Sequence, residues 1–247
     1  MNTIIESLFK RKSVRVFEEK EISREDKQLI LESALQAPTA GNMTMYTILD
    51  ITDQSLKDTL AVTCDNQPFI GKAPLVLVFC ADFHRWYQVF CRNCQEVRKP
   101  DLGDLQLASV DTVIAAHNCV VAAESLGIGS CYIGDITENF ERHRELFDLP
   151  AHVVPVCMVV FGYPTKQQTE RSKPPRFEVE DIVFENTYCD TKAQDMESMI
   201  MKRQGFESED EMKDWIYKFC QRKHNSDFSV EMSRSCKVAL EFFCNEE

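Results

Sequence analysis

The segment "KRKSVRVF", Lys10 to Phe17, gathers Lys10, Arg11, Lys12 and Arg15 around one serine, Ser13, in a chain of formal net charge -12. Guanidinium and ammonium donors beside a hydroxyl suit a phosphate or a carboxylate. Val14, Val16 and Phe17 favour an extended backbone. Alternate side chains of an extended chain share a face, so Arg11, Ser13 and Arg15 point one way. At about 3.3 Å per residue they span roughly 13 Å, room for a phosphate and a good part of whatever it is attached to. The plainer reading is a helix end, because basic side chains near a C-terminus also answer the helix dipole.

Two further stretches carry candidate chemistry. "GIGSCYIGDI" places Gly127, Gly129 and Gly134 where backbone N–H groups can approach a ligand without a Cβ in the way. It follows a helix rather than a strand, so it is not the dinucleotide fingerprint. "RSKPPR" gathers Arg171, Lys173 and Arg176 on a loop stiffened by Pro174 and Pro175. Each stretch alone reads as a helix cap or a solvated loop. Together with the Thr/Gly/Asn loop at 39–44 they can converge on one anionic, planar ligand. No Ser-His-Asp or Cys-His pattern, paired metal ligands or Walker loop competes. A lone "CRNC" at Cys91 and Cys94 lacks a second ligand pair and is read as coincidence. His117, amid an apolar helix, is expected to be packed and hydrogen-bonded.

The elements that must position these residues follow from periodicity and caps. Helices are expected over 3–10, from a Ser23 cap to Pro38, and over "DQSLKDTLAVTC". Strands are expected at Tyr46–Ile51, in "APLVLVFCAD" and in "HVVPVCMVVFGYP"; the last two are unbroken apolar runs that predict burial on both faces. Residues 83–106 read as a helix and loop able to cover a site. A long helix capped at Ser109 and ended by Gly127 is apolar on nearly every face, which suits a large core or an interface. "FERHRELFDLP" is a further short helix. Helices and strands alternate, so the class is α+β or α/β.

Composition sets outer bounds. The 247 residues, 44% hydrophobic and 28% charged, suit one large or two small globular domains. A pI near 5.0 argues against general nucleic-acid binding and against anionic membranes. The longest apolar run falls far short of the ~20 residues that span a bilayer, and the N-terminus lacks a signal-peptide core, so a cytoplasmic address is expected. Eleven cysteines at irregular spacing, with Cys80, Cys119 and Cys157 inside apolar runs, read as small buried hydrophobes rather than a disulfide framework.

The pattern as a whole resembles the nitroreductase family, in its NADPH-dependent flavin reductase and oxygen-insensitive nitroreductase branch. The matching stretches are "RKSVRVF", "ALQAPTAGNMTMYTI", "FCADFHRW", "VDTVIAAHNCVVAAESLGIGSCYIGDI", "VPVCMVVFGYP" and "KPPR", in unbroken order from about residue 3 to 190. The resemblance implies an α+β fold with a mixed, mostly antiparallel sheet flanked by helices. It implies a core over 1–195 and a helical extension over 196–247 that wraps a dimer partner. It further implies a homodimer with FMN sites at the subunit interface. NADPH or NADH would reduce FMN, which would pass two electrons to a nitroaromatic, quinone, free flavin or azo acceptor in ping-pong order.

Carried over position by position, Arg11, Ser13 and Arg15 meet the FMN phosphate, ribityl chain and near ring edge, with Lys12 among the same cofactor-binding residues. Thr39 and Gly41 lie where the family's loop touches the flavin, and Gln67 beside the pyrimidine. Tyr132, Ile133 and Gly134 supply backbone against the ring. Lys173 and Arg176 clamp the phosphate, although the extra proline of "KPPR" leaves Arg171 as an alternative to Arg176. Arg11 stands where close relatives often carry histidine, and the weak match after residue 196 leaves NADPH against NADH open. A narrower reductive enzyme on the same scaffold, a flavin-binding redox sensor reporting through Cys91 and Cys94, and a flavin-free metal-binding module are the competing readings.

Overall fold

The computed structural model describes residues 2–190 and 195–245. The stretches 191–194 and 246–247, which fall in the expected core and extension, lie outside the described residues.

Side-chain caps set the first helices. Asn2 accepts from the Ile5 amide to open α1 (Thr3–Lys10), and Ser23 accepts from the Asp26 amide to open α2 (Arg24–Leu35), each at 3.0 Å. Four strands follow along the chain: β1 (Tyr46–Asp50), β2 (Leu75–Asp82), β3 (Gly129–Ile133) and β4 (Val153–Gly162). They form one antiparallel sheet in the order β1-β2-β4-β3. All residues of β2 are buried, as its unbroken apolar run predicts. Leu75, Leu77 and Phe79 face one core with Ala115, Ala116, Cys119 and Val120, while Val76, Val78 and Cys80 face a second with Leu60, Ile133 and Ile136. Pro155 sits inside β4 without breaking it, because it falls where the β2–β4 register shifts after Phe79.

Helix α3 (Gln54–Thr63) packs on the second face, and α4 (His84–Asn93) follows β2. The long helix α5 runs from Leu102 to Ser125, a full two turns earlier than a Ser109 cap would allow. The cap is Asp101, in a reciprocal box with Asp104, and Arg98 fixes Asp104 with bonds of 2.6 and 2.7 Å. Ser109 lies inside the helix and does not cap it. Gly127 ends the helix at φ +73°. By length and composition α5 could cross a membrane, but one side of it is buried against α2 and the sheet. The other side exposes Leu107, Val110 and Val113 by 45–51%. His117 lies on this exposed side, so it is not packed as expected.

The remaining elements are α6 (Phe140–Leu146), α7 (Lys166–Glu170), α8 (Val179–Ile182), α9 (Met196–Gln204), α10 (Glu209–Lys223) and α11 (Asp227–Cys244). Two compact units emerge, one comprising residues up to Arg171 and from Glu231 on, the other Ser172–Val230. In the first, Phe242 and Phe243 of α11 pack with Met45, Phe83, Leu105 and Phe140. In the second, Trp215 stacks on Phe219 at 4.9 Å and lies 5.8 Å from Phe206.

Candidate functional site

After α1 the chain turns extended and lies along the sheet edge. Ser13 pairs in parallel with Ser130, and the Val14 amide donates to the Ser130 carbonyl at 2.9 Å. This parallel bridge is the one departure from antiparallel pairing at that edge. The approach depends on Gly129: a Cβ there would fall 2.6 Å from Val14 Cγ2. Val14 is buried at 4% exposure, so its neighbours in the alternation turn the other way. Arg11, Ser13 and Arg15 all act on the Cys131 thiol, pulling its pKa down against the larger upward push of burial. The three side chains predicted to share a face do share one.

Their donors are mostly unspent. Arg11 Nε and Ser130 Oγ are buried without a hydrogen-bond partner. Arg15 holds its guanidinium carbon 6.0 Å from the Phe69 ring centroid. Among the described residues, none of Arg11, Lys12 and Arg15 forms an ion pair with a carboxylate, in a protein with 40 acidic residues against 28 basic ones. Lys12 is engaged differently: its ammonium donates to the Thr169 carbonyl at 2.8 Å and to that of Arg171. Arg171 in turn donates to the Ser13 carbonyl at 2.6 Å. So Lys12 and Arg171 fasten the basic segment to the end of α7.

The other end of the site is formed by the end of β3 and the turn after α3. Tyr132 is half-buried, Ile133 is buried, and Gly134 opens a short 3-10 turn, Gly134–Thr137. Burial raises the Tyr132 phenol pKa. Gln67 donates through Nε2 to the Cys64 carbonyl and to Asp135 Oδ2, both at 2.9 Å. Through Phe69 and Asp135, the 67–69 segment links Arg15 to the turn at Gly134. The structure thus brings Arg11, Ser13, Arg15, Gln67, Tyr132, Ile133 and Gly134 into one neighbourhood.

The loop carrying Thr39 and Gly41 is built elsewhere, on α5. The buried Asp111 carboxylate accepts from the Ala40 amide at 2.9 Å and the Met45 amide at 3.4 Å. Trp86 Nε1 donates to the Met43 carbonyl at 2.6 Å, and Arg85 to the Tyr46 carbonyl at 2.6 Å. Gly41, Asn42 and Thr44 all have left-handed φ, between 53° and 57°. Thr39 Oγ1 accepts from the Thr44 amide at 3.2 Å. Lys173 and Arg176 belong to the second unit, where the exposed Arg176 donates to the Pro174 carbonyl at 3.1 Å.

Three carboxylates were missed at the level of sequence. Asp111 had a readable signal, since an acid on the buried stripe of an apolar helix needs a partner. Asp135 and Glu138 had none, because nothing in "GDITEN" says which acids turn inward. Cys91 and Cys94 are exposed, and Cys80, Cys119 and Cys157 are buried, as read. Among the described residues no His, Cys, Asp or Glu cluster is placed to hold a metal.

The nitroreductase family model matches residues 8–163, and the chain belongs to that family. Among its relatives are a protein named FMN reductase (NADPH) from Bacillus subtilis and an oxygen-insensitive NADPH nitroreductase from Salmonella typhimurium. They are 30% and 32% identical to this chain, over 76% of its length and 75% of theirs. Among solved structures, NADPH:FMN oxidoreductase from Vibrio harveyi complexed with NAD+ superposes with a TM-score of 0.81 at 26% identity. That match covers 97% of this chain and 98% of the other. A putative oxidoreductase from Bacteroides fragilis superposes at 0.84, with 26% identity over 97% of this chain and all of its own.

Proposed function

We propose that this chain is an FMN-dependent oxidoreductase that takes electrons from NADPH or NADH and delivers them to a nitroaromatic, quinone, free flavin or similar acceptor. The observation that carries this reading is the trio Arg11, Lys12 and Arg15, left without carboxylate partners among the described residues and set beside an orphaned Ser130 hydroxyl. Unpaired buried donors cost free energy unless a ligand completes them. A phosphate dianion does so, and these residues fit one.

FMN, when bound, supplies the two-electron redox chemistry, and the protein supplies binding, orientation and electrostatics. Arg11, Ser13 and Arg15 hold the phosphate and ribityl end, and Lys12 and Arg171 keep their segment in place. Lys173 and Arg176 are assigned to the phosphate as well. Arg15, near Phe69, offsets negative charge gained toward the ring. Gln67 has both amide hydrogens committed to Cys64 and Asp135, so its Oε1 is left to accept from an imide N–H. Ile133 and Gly134 offer backbone against the ring. No side-chain acid or base is required.

The working form is assigned as a homodimer in the cytoplasm. The hydrogen bonds of the Thr39–Gly41 loop go to α4 and α5, not to the basic segment, so a second copy is the natural source of that part of the site. Exposed Leu107, Val110 and Val113 on α5, with Ile4 and Phe9 on α1 exposed by 65% and 67%, offer the apolar surface such a contact needs. Donor and acceptor then use one face of the flavin in turn, which gives ping-pong kinetics. The test is purification followed by FMN titration and steady-state NADPH oxidation across a panel of acceptors. A yellow protein with parallel double-reciprocal lines is expected. A colourless protein that does not quench FMN fluorescence would refute the assignment.

A further inference from the structure

Glu138 closes the 3-10 turn that begins at Gly134, and it is only 5% exposed. Its Oε1 is buried with no hydrogen-bond partner. Its backbone amide donates to the Asp135 carbonyl at 3.0 Å, which closes the turn with both acids on it, and the Asp135 carboxyl acts directly on that of Glu138. Ionising both would set two like charges together on one buried turn, which favours keeping a proton on Glu138. Asp135 is not an idle partner. Its Oδ2 accepts from Gln67 Nε2 at 2.9 Å, and that bond orients the amide whose oxygen remains available to a ligand.

We infer that Asp135 and Glu138 form a one-proton carboxyl dyad that, through Gln67, sets the charge and the hydrogen-bond polarity at the pyrimidine end of the flavin site. The functional half of this inference rests on the FMN reading above; the dyad itself does not.

The surroundings support the shared proton. Asp65, in the turn after α3, and Glu231, on α11, both add negative potential at Glu138. Glu231 does not compete for the proton, because Arg234 bonds it at 2.8 Å and holds its pKa down to about 2. Arg234 is also held by Glu141 at 2.7 Å, so its charge is spent on those two acids. His143 on α6 is kept neutral by burial, with its ring nitrogens on Thr63 Oγ1 at 2.8 Å and the Ile136 carbonyl at 2.9 Å. Cys64 is buried and its thiol is pushed well above the usual range. Among the described residues, the charged groups that act on Glu138 are all negative. Burial first, then the Asp135 charge, carries the Glu138 pKa up to about 7.

With the proton in place the dyad carries one negative charge and Asp135 remains an acceptor for Gln67. Loss of the proton puts a second negative charge beside the first, next to Gln67 and the ring site proposed above. Adding electrons to the ring then becomes harder. Asp135 and Glu138 are positioning residues; neither touches the reacting atoms.

The decisive experiment has two arms, both on the full chain. The first follows the Glu138 side-chain carboxyl by carbon-13 NMR from pH 4 to 9 in wild type and in Asp135→Asn, with no cofactor needed. The second measures the midpoint potential of bound FMN over the same range in wild type and Glu138→Gln. FMN's own phosphate titrates near pH 6, and comparing variants cancels that contribution. Glu138 should titrate near neutrality in wild type and move back toward the carboxylate range in Asp135→Asn. The wild-type potential should fall more steeply through neutral pH than that of Glu138→Gln. Titration of Glu138 at an ordinary value of ~4.3 would overturn the dyad. Superimposable potential curves would overturn its coupling to the flavin. A chain that takes up no FMN would remove the functional half, while the NMR arm would still decide the dyad.

Discussion

The 39–44 loop and the 11–15 segment are both assigned to the same ligand, and they are built in opposite ways. In the loop nearly every polar group is already engaged: Asp111 takes two amides, Trp86 and Arg85 take carbonyls, and three consecutive-region residues are held at left-handed φ. The basic segment is held mainly by its backbone, through Ser130, Tyr163 and Val16's carbonyl bond to Thr165, while Arg11 and Arg15 remain uncommitted. One region spends its hydrogen bonds on shape and offers a rigid backbone. The other spends its backbone on shape and keeps its charge for the ligand. Substitutions in the loop should therefore read out as stability, and substitutions in the segment as affinity.

The largest effect expected is from Asp111→Ala. It strands the Ala40 and Met45 amides, each at about 1–3 kcal/mol, which should lower Tm by roughly 5–15 °C in a chain of this size. A Tm within 2 °C of wild type would remove the claim that Asp111 shapes the loop. Next, Arg15→Ala should weaken FMN binding about ten- to hundredfold, the loss of one charge-assisted bond of about 1.5–3 kcal/mol. The Tm of the apoprotein should stay nearly constant. Unchanged FMN affinity in both Arg15→Ala and Lys173→Ala would break the contrast from the ligand side.

Gly41→Ala sharpens it. At φ +57° an added Cβ meets only the Met43 side chain, no closer than 3.6 Å, so the cost is backbone strain rather than a clash. A loss of about 1–2 kcal/mol in stability is expected, read by denaturant midpoint. The smallest effect concerns pH. Glu138 has a folded pKa of about 7, above its unfolded value, so the folded state binds more protons between roughly pH 4.3 and 7. Stability from this group is therefore highest below that window and falls as pH rises through it. Glu138→Gln should flatten the decline by a few degrees of Tm between pH 5 and 8, and parallel wild-type and variant curves would exclude it.

How much of this could be read from residues alone differs by physical cause. The strands were legible because β2 and β4 are unbroken runs of Val, Leu and Phe, and only a strand covered on both faces buries every position. The shared face of Arg11, Ser13 and Arg15 was legible for the same reason, since β-branched Val14 and Val16 fix the alternation. The start of α5 was not, because Asp101 and Ser109 both satisfy the local rules for a cap, and the Asp101–Asp104 box held by Arg98 selects the earlier one. The exposure of His117 depends on which side of α5 meets the sheet, and an all-apolar helix carries little signal for that. The inward turn of Glu138 goes with the bonds of its neighbour Asn139 to Thr63 and Glu231, contacts made between elements that lie far apart in the chain.

The docking of the N-terminal segment has a consequence for the order of biosynthesis. The Arg15 amide finds Gln168 across a separation of 153 residues. At a translation rate of about 5–20 residues per second, the segment emerges roughly 8–30 s before its partners exist. During that interval Val14, Val16 and Phe17 have no strand to lie against, and the arginines beside them have no fixed face. Cofactor capture on a nascent chain must wait until β3, β4 and α7 have been made. The most basic stretch of the protein is made before β3, β4 and α7, the elements that give it its shape.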